Sequence, residues 1–247
     1  MRPRPEVLRT GPDASLPHWT REIGLRMRTH FLLKLLGTTA FTWLFFIGYF
    51  QLLRHPAFEV TVMPLIAFDA LVPFEPGALV AYLSLWVYVG MGPGLQFSFR
   101  ELVAYSAWIV AMCIAGLVCF YFWPTAVPLR SFEPDGFPGF ALLQGVDAAG
   151  NACPSMHVAA AMFTMIRIEQ VLRDARTPVV LRALNLMWFM AIAWSTLATR
   201  QHVALDALAG AALGIAFALP SLYWRPRNVL GAAQPADRIS SGKARIT

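Results

Sequence analysis

The 247-residue sequence has little charge and few cysteines, and both shortages narrow the class of protein. Only 14% of its residues are charged, against roughly 25% in a typical soluble domain. The three cysteines, Cys113, Cys119 and Cys153, form no disulfide framework. With 57% hydrophobic residues and a mean hydropathy of +0.54, the chain is too apolar for a soluble domain built around a single core.

Long apolar segments account for this excess. Six of them are close to the roughly 20 residues that a helix needs to cross a bilayer: residues 31–53, 76–97, 101–123, 153–172, 181–199 and 203–224. The sequence therefore predicts an all-α, polytopic membrane bundle of six transmembrane helices, formed by residues 31–224. The Arg- and Pro-rich residues 1–30 and the polar residues 225–247 are predicted to be flexible tails.

The net charge of +6 comes from basic residues that are unevenly distributed between the predicted spans. Seventeen of the twenty Lys and Arg residues lie in residues 1–34, at Arg100, between Arg167 and Arg182, and from Arg225 onward. Six spans place these segments on one side of the membrane, which the positive-inside rule assigns to the cytoplasm. We therefore expect a multi-pass protein of the cell (inner) membrane with both termini cytoplasmic, and no binding of nucleic acid.

Three arginines remain for the outer face, and two of them lie near polar motifs. Arg54 ends the first span and is typical of an interfacial anchor, whereas Arg130 and Arg200 flank the segments described below. Guanidinium groups form paired, charge-assisted hydrogen bonds that fit the geometry of a phosphate. Each also has a simpler explanation, since Arg130 could pair with Glu133 and Arg200 could extend toward the membrane surface.

Two of the five histidines fall at predicted outer ends of spans. His157 begins the fourth span and His202 begins the sixth, so alternation places them at the same depth, facing one outward-opening cavity. His202 and Asp206 are spaced i, i+4 and share one helix face. An aspartate that accepts one ring N–H leaves the other nitrogen free as a nucleophile. Gly210 and Gly214 continue that face and favour close helix packing.

A second feature predicts an anion site at the start of the fourth span. Proline is favoured at the first helical position, and Pro154 there would leave the backbone N–H groups of Ser155, Met156 and His157 pointing outward. Such helix N-termini bind phosphate readily, and the Ser155 hydroxyl would add another donor. The bland alternative is an ordinary helix cap.

These residues resemble the type 2 phosphatidic acid phosphatase superfamily, whose membrane members have six spans. Its second motif, Pro-Ser-x-His, is similar to residues 154–157, and its third motif ends in His-x-x-x-Asp, as at His202 and Asp206. Over roughly residues 60–220, the chain looks most like the branch of inositol phosphorylceramide synthase, an inositolphosphotransferase. This wider similarity includes Pro64 through Tyr82, Phe122-Trp123-Pro124-Thr125 and Asn151.

The resemblance implies a role for each catalytic residue. His202 would be the nucleophile that forms a phosphohistidine, Asp206 would orient it, and His157 would be the general acid that protonates the leaving oxygen. No metal and no cofactor are implied.

The chain departs from the superfamily at its usual phosphate ligands. The first motif, Lys-x6-Arg-Pro, is absent, and Ser195 and Thr196 stand where the third motif carries Ser-Arg. Arg130, Ser155 and Arg200 are therefore the predicted phosphate-binding residues.

The resulting hypothesis is an integral-membrane lipid phosphatase or phosphotransferase. It would act on a lipid phosphate or phosphodiester at the outer leaflet, with water or an alcohol as acceptor and the bilayer as its other partner. Two other classes stay open. One is a non-catalytic carrier or flippase for a phospholipid or polyprenyl phosphate, and the other is a structural membrane subunit, which would leave the intramembrane Asp206 unexplained.

Overall fold

The computed structural model of the protein describes residues 17–128 and 150–224, which are mostly helical. A short 3-10 helix spans Pro76–Ala78, and two parallel strands pair Thr61 with Thr125 and Val62 with Ala126. The elements are α1 (His18–Arg28), α2 (Phe31–Arg54), β1 (Thr61–Val62), α3 (Ala67–Leu71), α4 (Leu79–Leu83), α5 (Leu85–Gly94), α6 (Phe99–Phe122), β2 (Thr125–Ala126), α7 (Met156–Asp174), α8 (Val179–Ala198) and α9 (Ala204–Tyr223).

Five helices in the described part of the chain are long and apolar enough to cross a membrane. They coincide with five of the six predicted segments: Phe31–Arg54, Pro76–Gly94, Phe99–Phe122, Val179–Ala198 and Ala204–Tyr223. The predicted fourth segment forms α7, but Arg167, Glu169 and Arg173 lower its hydropathy. A count of six spans therefore stays a prediction.

Helix α7 is nevertheless the most enclosed helix among those described. Ten of its nineteen residues are buried, and it packs against α5, α6, α8 and α9. It runs beside α9 in the same direction. Just before its start the Ser155 N–H donates to the Asp206 carbonyl oxygen at 2.9 Å, and further along Arg167 Nη1 donates to the Ser221 carbonyl oxygen at 3.0 Å. Polar groups at both ends of this pair of helices thus form hydrogen bonds between α7 and α9.

Glycines allow the close approach of α7 and α9. A Cβ atom on Gly210 would overlap the Ser155 carbonyl oxygen, and one on Gly214 would lie 2.6 Å from the Ala159 carbonyl oxygen. Any larger residue at either position would push the two backbones apart. This confirms the close packing that the small-residue spacing predicts.

The N-terminal segment differs from the predicted flexible tail, because residues 18–28 form α1. Arg26 is buried, and its guanidinium group lies 2.8 Å from Glu22 and 3.8 Å from Glu101. Lys34 Nζ donates to the carbonyl oxygens of Arg26, at 2.6 Å, and Gly94, at 2.8 Å. These contacts tie α1 to the connection between α5 and α6, so basic residues that look solvated in the sequence are packed. The rest of both tails lies outside the described residues.

Candidate functional site

The two predicted histidines meet at the end of the bundle where α7 and α9 begin. His202 Nε2 lies 3.3 Å from His157 Nδ1, and the ring centroids are 5.4 Å apart. His202 is 8% exposed. Two residues that are 45 positions apart in the sequence therefore form one site, as the predicted topology requires.

His202 contacts Asp206, which lies in the first turn of α9. The distance from His202 Nδ1 to Asp206 Oδ2 is 3.1 Å. The predicted pair is therefore in contact, but the two residues do not share a helix face, because His202 lies two residues before α9 and Val203 is extended. Asp206 is fully buried, and its Oδ1 atom has no hydrogen-bond partner among the described residues. A neutral His202 ring that donates its Nδ1 proton to Asp206 keeps its lone pair on Nε2, the nitrogen that faces His157. Their catalytic roles stay predictions.

The turn that ends α8 positions the backbone of His202. The Thr196 carbonyl oxygen accepts the N–H groups of Gln201, at 3.1 Å, and His202, at 3.0 Å, while the Arg200 N–H donates to the Leu197 carbonyl oxygen at 3.0 Å. With Arg200 in the left-handed conformation, at φ 61°, this is the Schellman arrangement that commonly ends helices. The superfamily's third motif has an arginine at the position of Thr196. Here Thr196 provides a backbone carbonyl oxygen that positions His202, and its side chain carries no charge.

Arg200 occupies a backbone position that usually holds glycine. For other residues the left-handed conformation costs about 1–2 kcal/mol. Arg176 adopts it too, at φ 54°, at the opposite end of α7 from His157, so strain alone does not mark Arg200 as functional. Arg200 Nη1 donates to the Asp69 carbonyl oxygen at 3.3 Å. The guanidinium group therefore lies against α3, beside the site. Phosphate binding by Arg200 stays a prediction.

Asp69, on α3, is a site residue that the sequence analysis missed. Its buried carboxylate accepts the N–H of Ala204 through Oδ1, at 2.8 Å, and that of Ile66 through Oδ2, at 2.8 Å. Asp69 therefore caps the start of α9, two residues after His202. Its partner lies 135 positions away, so no local spacing rule links them. The only signal was an acidic residue in an apolar loop.

Tyr82, on α4, is a second residue that the sequence analysis gave no role. Its hydroxyl oxygen lies 2.8 Å from His157 Nε2, and the two ring centroids are 4.8 Å apart. Tyr82 is 3% exposed. The contact joins two helices through side chains, a relation that neither periodicity nor motif spacing reveals.

Ser155 corrects part of the predicted anion site. Helix α7 begins at Met156 with Ser155 as its N-cap, so Pro154 lies before the cap rather than at the first helical position. The Ser155 N–H is not unpaired, since it donates to the Asp206 carbonyl oxygen at 2.9 Å. Its hydroxyl, fully buried, accepts the Val158 N–H at 3.3 Å. The close approach of α9 takes up the donor that sequence reasoning left for an anion, and phosphate binding by Ser155 stays a prediction.

The other predicted phosphate ligand, Arg130, lies outside the described residues, together with Glu133.

An apolar cavity of about 270 Å³ adjoins the two histidines. Hydrophobic side chains of α2, α4, α5, α6 and α7 form most of its wall, and polar groups from Tyr49, Tyr82 and Asn151 lie on it with His157 and His202. The site therefore presents reactive nitrogens at the edge of a space that fits a hydrocarbon chain.

The sequence model of the PAP2 superfamily matches residues 78–219, more than half of the chain. The protein belongs to the PAP2 superfamily. The match covers both histidines, Asp206 and most of the cavity wall, and members of this superfamily are phosphatases or phosphotransferases. It confirms the resemblance at superfamily level, while the inositol phosphorylceramide synthase branch stays a prediction. No curated protein and no solved structure matches the chain significantly.

For this PAP2 protein we expect Asp69→Ala to lower the midpoint of thermal unfolding. The change leaves the Ala204 N–H buried without an acceptor, at a cost of about 1–3 kcal/mol. Asp69→Asn, which keeps an Oδ1 acceptor, should lose less.

The matched control is Glu75→Ala in the connection between α3 and α4, because among the described residues the exposed Glu75 carboxylate accepts just the local Gly77 N–H, at 3.1 Å. Thermal unfolding in detergent, followed by tryptophan fluorescence, makes the comparison. Equal midpoints for Asp69→Ala and Glu75→Ala would contradict the capping role.

Proposed function

We propose that this PAP2-superfamily protein is an integral-membrane enzyme that cleaves a lipid phosphate or phosphodiester through a phosphohistidine at His202. The single observation that carries the proposal is the chain of contacts from Asp206 through His202 to His157, at the edge of an apolar cavity. Membership of the superfamily and the apolar helices fit a membrane lipid phosphatase.

The reaction has two steps. In the first, the His202 Nε2 lone pair attacks phosphorus, the bond from phosphorus to the lipid alcohol oxygen breaks, and His157 gives that oxygen a proton. In the second, His157 takes a proton from water or from an acceptor alcohol, whose oxygen attacks phosphorus and breaks the P–N bond. Splitting one displacement into two lowers each barrier, and the buried negative charge of Asp206 stabilises the positive charge that develops on His202.

The described arrangement is a resting one. At 3.3 Å between His202 Nε2 and His157 Nδ1, the rings are within hydrogen-bond distance and leave no room for a phosphoryl group. A substrate must therefore separate the rings, replacing a contact between two nitrogens with contacts to the attacked phosphorus and the leaving oxygen. Catalytic contacts often reach their final geometry only when substrate binds.

Arg200, Ser155 and Arg130 are the proposed phosphate ligands. Arg200 supports the proposal best, because the turn that holds its backbone also holds His202. Ser155 would contribute its hydroxyl after rearrangement of the cap. A guanidinium group beside a developing negative charge stabilises the transition state of phosphoryl transfer.

The cavity favours a lipid substrate over a water-soluble phosphate. Phe45, Phe46, Leu83 and Trp86 lie on its wall, and each methylene buried there contributes about 0.8 kcal/mol. A headgroup at the histidines with a chain in the cavity uses both parts of the site.

We further propose that α7 is a sixth span and that the histidines face the outside. Segments predicted to be cytoplasmic meet at one end of the bundle, where Arg26 contacts Glu101 and Arg167 contacts Ser221. The histidines lie at the other end. With an even number of spans, both tails are cytoplasmic and the site opens to the outer leaflet.

We expect His202→Ala to abolish turnover without preventing membrane insertion, because it removes the nucleophile. Wild-type protein incubated with a panel of radiolabelled lipid phosphates should release phosphate and carry an acid-labile phosphoryl group, and His202→Ala should do neither.

The control is His55→Ala, which removes an exposed histidine just after α2 and should change neither measurement. Full turnover by His202→Ala would contradict the assignment. Lipid binding by the wild type without release or labelling would contradict the enzyme and support a carrier.

Filling the cavity should discriminate between substrates by chain length. Ala160 lies on its wall, and we expect Ala160→Phe to lower kcat/KM for a long-chain lipid phosphate about tenfold relative to a short-chain one. This corresponds to excluding about two methylenes. Ala212→Phe, at an exposed position of α9, is the matched control and should leave the ratio unchanged. An unchanged ratio in Ala160→Phe would mean that the chain lies elsewhere.

Cysteine labelling tests the orientation. In a Cys119→Ser background, which removes the exposed native thiol, we expect Glu59→Cys to react with a membrane-impermeant maleimide in intact cells. Arg176→Cys should react only after permeabilisation. Both positions are exposed and lie in loops at opposite ends of the bundle. The reverse pattern would invert the topology.

A further inference from the structure

We propose that Tyr82 is the positioning residue of His157: its hydroxyl oxygen accepts the Nε2 proton of His157 and so assigns proton transfer to Nδ1. The inference rests on the proposed function, because it concerns how the general acid is oriented. It comes from a contact that no motif in the sequence predicts.

The two nitrogens of His157 have different surroundings. Nε2 lies 2.8 Å from the Tyr82 hydroxyl oxygen, whereas Nδ1 lies 3.3 Å from His202 Nε2. Only Nδ1 therefore faces the nitrogen that attacks phosphorus, and the leaving oxygen must come to the same side. His157 can act as acid and base there only if Nδ1, and not Nε2, exchanges its proton.

Tyr82 supplies that selection. An imidazole that gives and takes a proton at Nδ1 alternates between a cation with both nitrogens protonated and a neutral ring that is protonated at Nε2 only. In both forms Nε2 is a donor, and the Tyr82 oxygen is an acceptor for it. The hydroxyl thus stabilises the tautomer that keeps Nδ1 available for the second step.

The arrangement parallels the other histidine with the nitrogens exchanged. Asp206 accepts the Nδ1 proton of His202 and leaves Nε2 reactive, while Tyr82 accepts the Nε2 proton of His157 and leaves Nδ1 reactive. The acceptors differ in charge for a physical reason. A carboxylate stabilises the cation that His202 becomes on attack, whereas a neutral hydroxyl orients His157 without opposing release of its proton.

Tyr82 is held firmly enough for this role. It is buried, and its ring packs at 35° to the His157 ring. Helix α4 packs against α8, and the Glu75 N–H just before it donates to the Ala198 carbonyl oxygen at 3.0 Å. The hydroxyl therefore has a fixed position relative to the turn that carries His202.

Tyr82→Phe tests the proposal, because it removes the hydroxyl and keeps the ring. We expect kcat to fall about tenfold for an alkyl lipid phosphate, within the roughly 10²–10⁴-fold that general acid–base catalysis contributes. The change for an aryl phosphate should be below about twofold, since its leaving oxygen needs little protonation. The KM values should stay close to those of the wild type.

Tyr88→Phe is the matched control. Tyr88 is equally buried, and its hydroxyl donates to Asn185 Oδ1 at 2.7 Å, so this variant also loses a buried hydrogen bond between helices. It should affect both substrates equally. An equal loss for both substrates in Tyr82→Phe would overturn the positioning role.

A double-mutant cycle shows whether Tyr82 acts through His157. Adding Tyr82→Phe to His157→Ala should cause no further loss, because the group that Tyr82 orients is already gone. The same tenfold loss in both backgrounds would overturn the proposal. Phosphate release and histidine labelling by the wild type are measured in parallel. Their absence would reject the proposed function, whereas an active wild type with an unaffected Tyr82→Phe would reject the Tyr82 role alone.

A measurement on the wild type does not depend on the activity of the variants. In the resting arrangement His202 Nε2 lies 3.3 Å from His157 Nδ1 and competes for a proton there, so the tautomer is read with orthovanadate, a phosphate analogue, bound between the two rings. In that complex of ¹⁵N-histidine-labelled protein, the neutral His157 ring should carry its proton on Nε2, as its ¹⁵N shift reports, and the His157 signal is assigned by its loss in His157→Ala. A neutral ring with its proton on Nδ1 in the complex would overturn the proposal.

Discussion

The site depends on the contact between α7 and α9. The Ser155 N–H reaches the Asp206 carbonyl oxygen, and this is possible only because Gly210 has no side chain between the backbones. Close to that contact, His157 in the first turn of α7 faces His202, which lies two residues before α9. Separating the backbones by the width of a methyl group would separate the histidines as well. The helix packing and the geometry of the histidine pair therefore both require a residue without a side chain at position 210.

Several buried charged side chains in this bundle form hydrogen bonds with backbone N–H or carbonyl groups. Asp69 accepts the first N–H of α9, Lys34 donates to two carbonyl oxygens, and Arg167 donates to the end of α9. Such contacts offset the cost of bringing charge into an apolar environment. They also explain how α7 can be the least apolar of the long helices although it is the most enclosed, because Arg167 is paired with α9 and Glu169 with Arg182 of α8.

Membership of the superfamily defines the reaction class, and the surroundings of the two histidines indicate how each ring would take part and which substrates fit. Phosphatases and phosphotransferases of this superfamily share the need to protonate a leaving oxygen and then activate an acceptor. Here the proposed nucleophile contacts a carboxylate, Asp206, and the proposed acid contacts a neutral hydroxyl, Tyr82. The adjoining apolar cavity favours a lipid substrate, and the choice between water and an alcohol depends on which of them reaches the proposed phosphohistidine.

The sequence alone determined what depends on local order. Apolar segments gave the bounds of five membrane-length helices within a few residues. The sequence also paired His202 with Asp206, although the contact comes from an extended residue before α9 and not from a shared helix face. Tertiary structure decided the rest: the use of the Ser155 N–H by Asp206, the cap that Asp69 provides, and the contact of Tyr82 with His157. The partners in the last two are 135 and 75 positions apart. Hydrophobic period and motif spacing describe one helix at a time, whereas these contacts exist only once separate helices have packed.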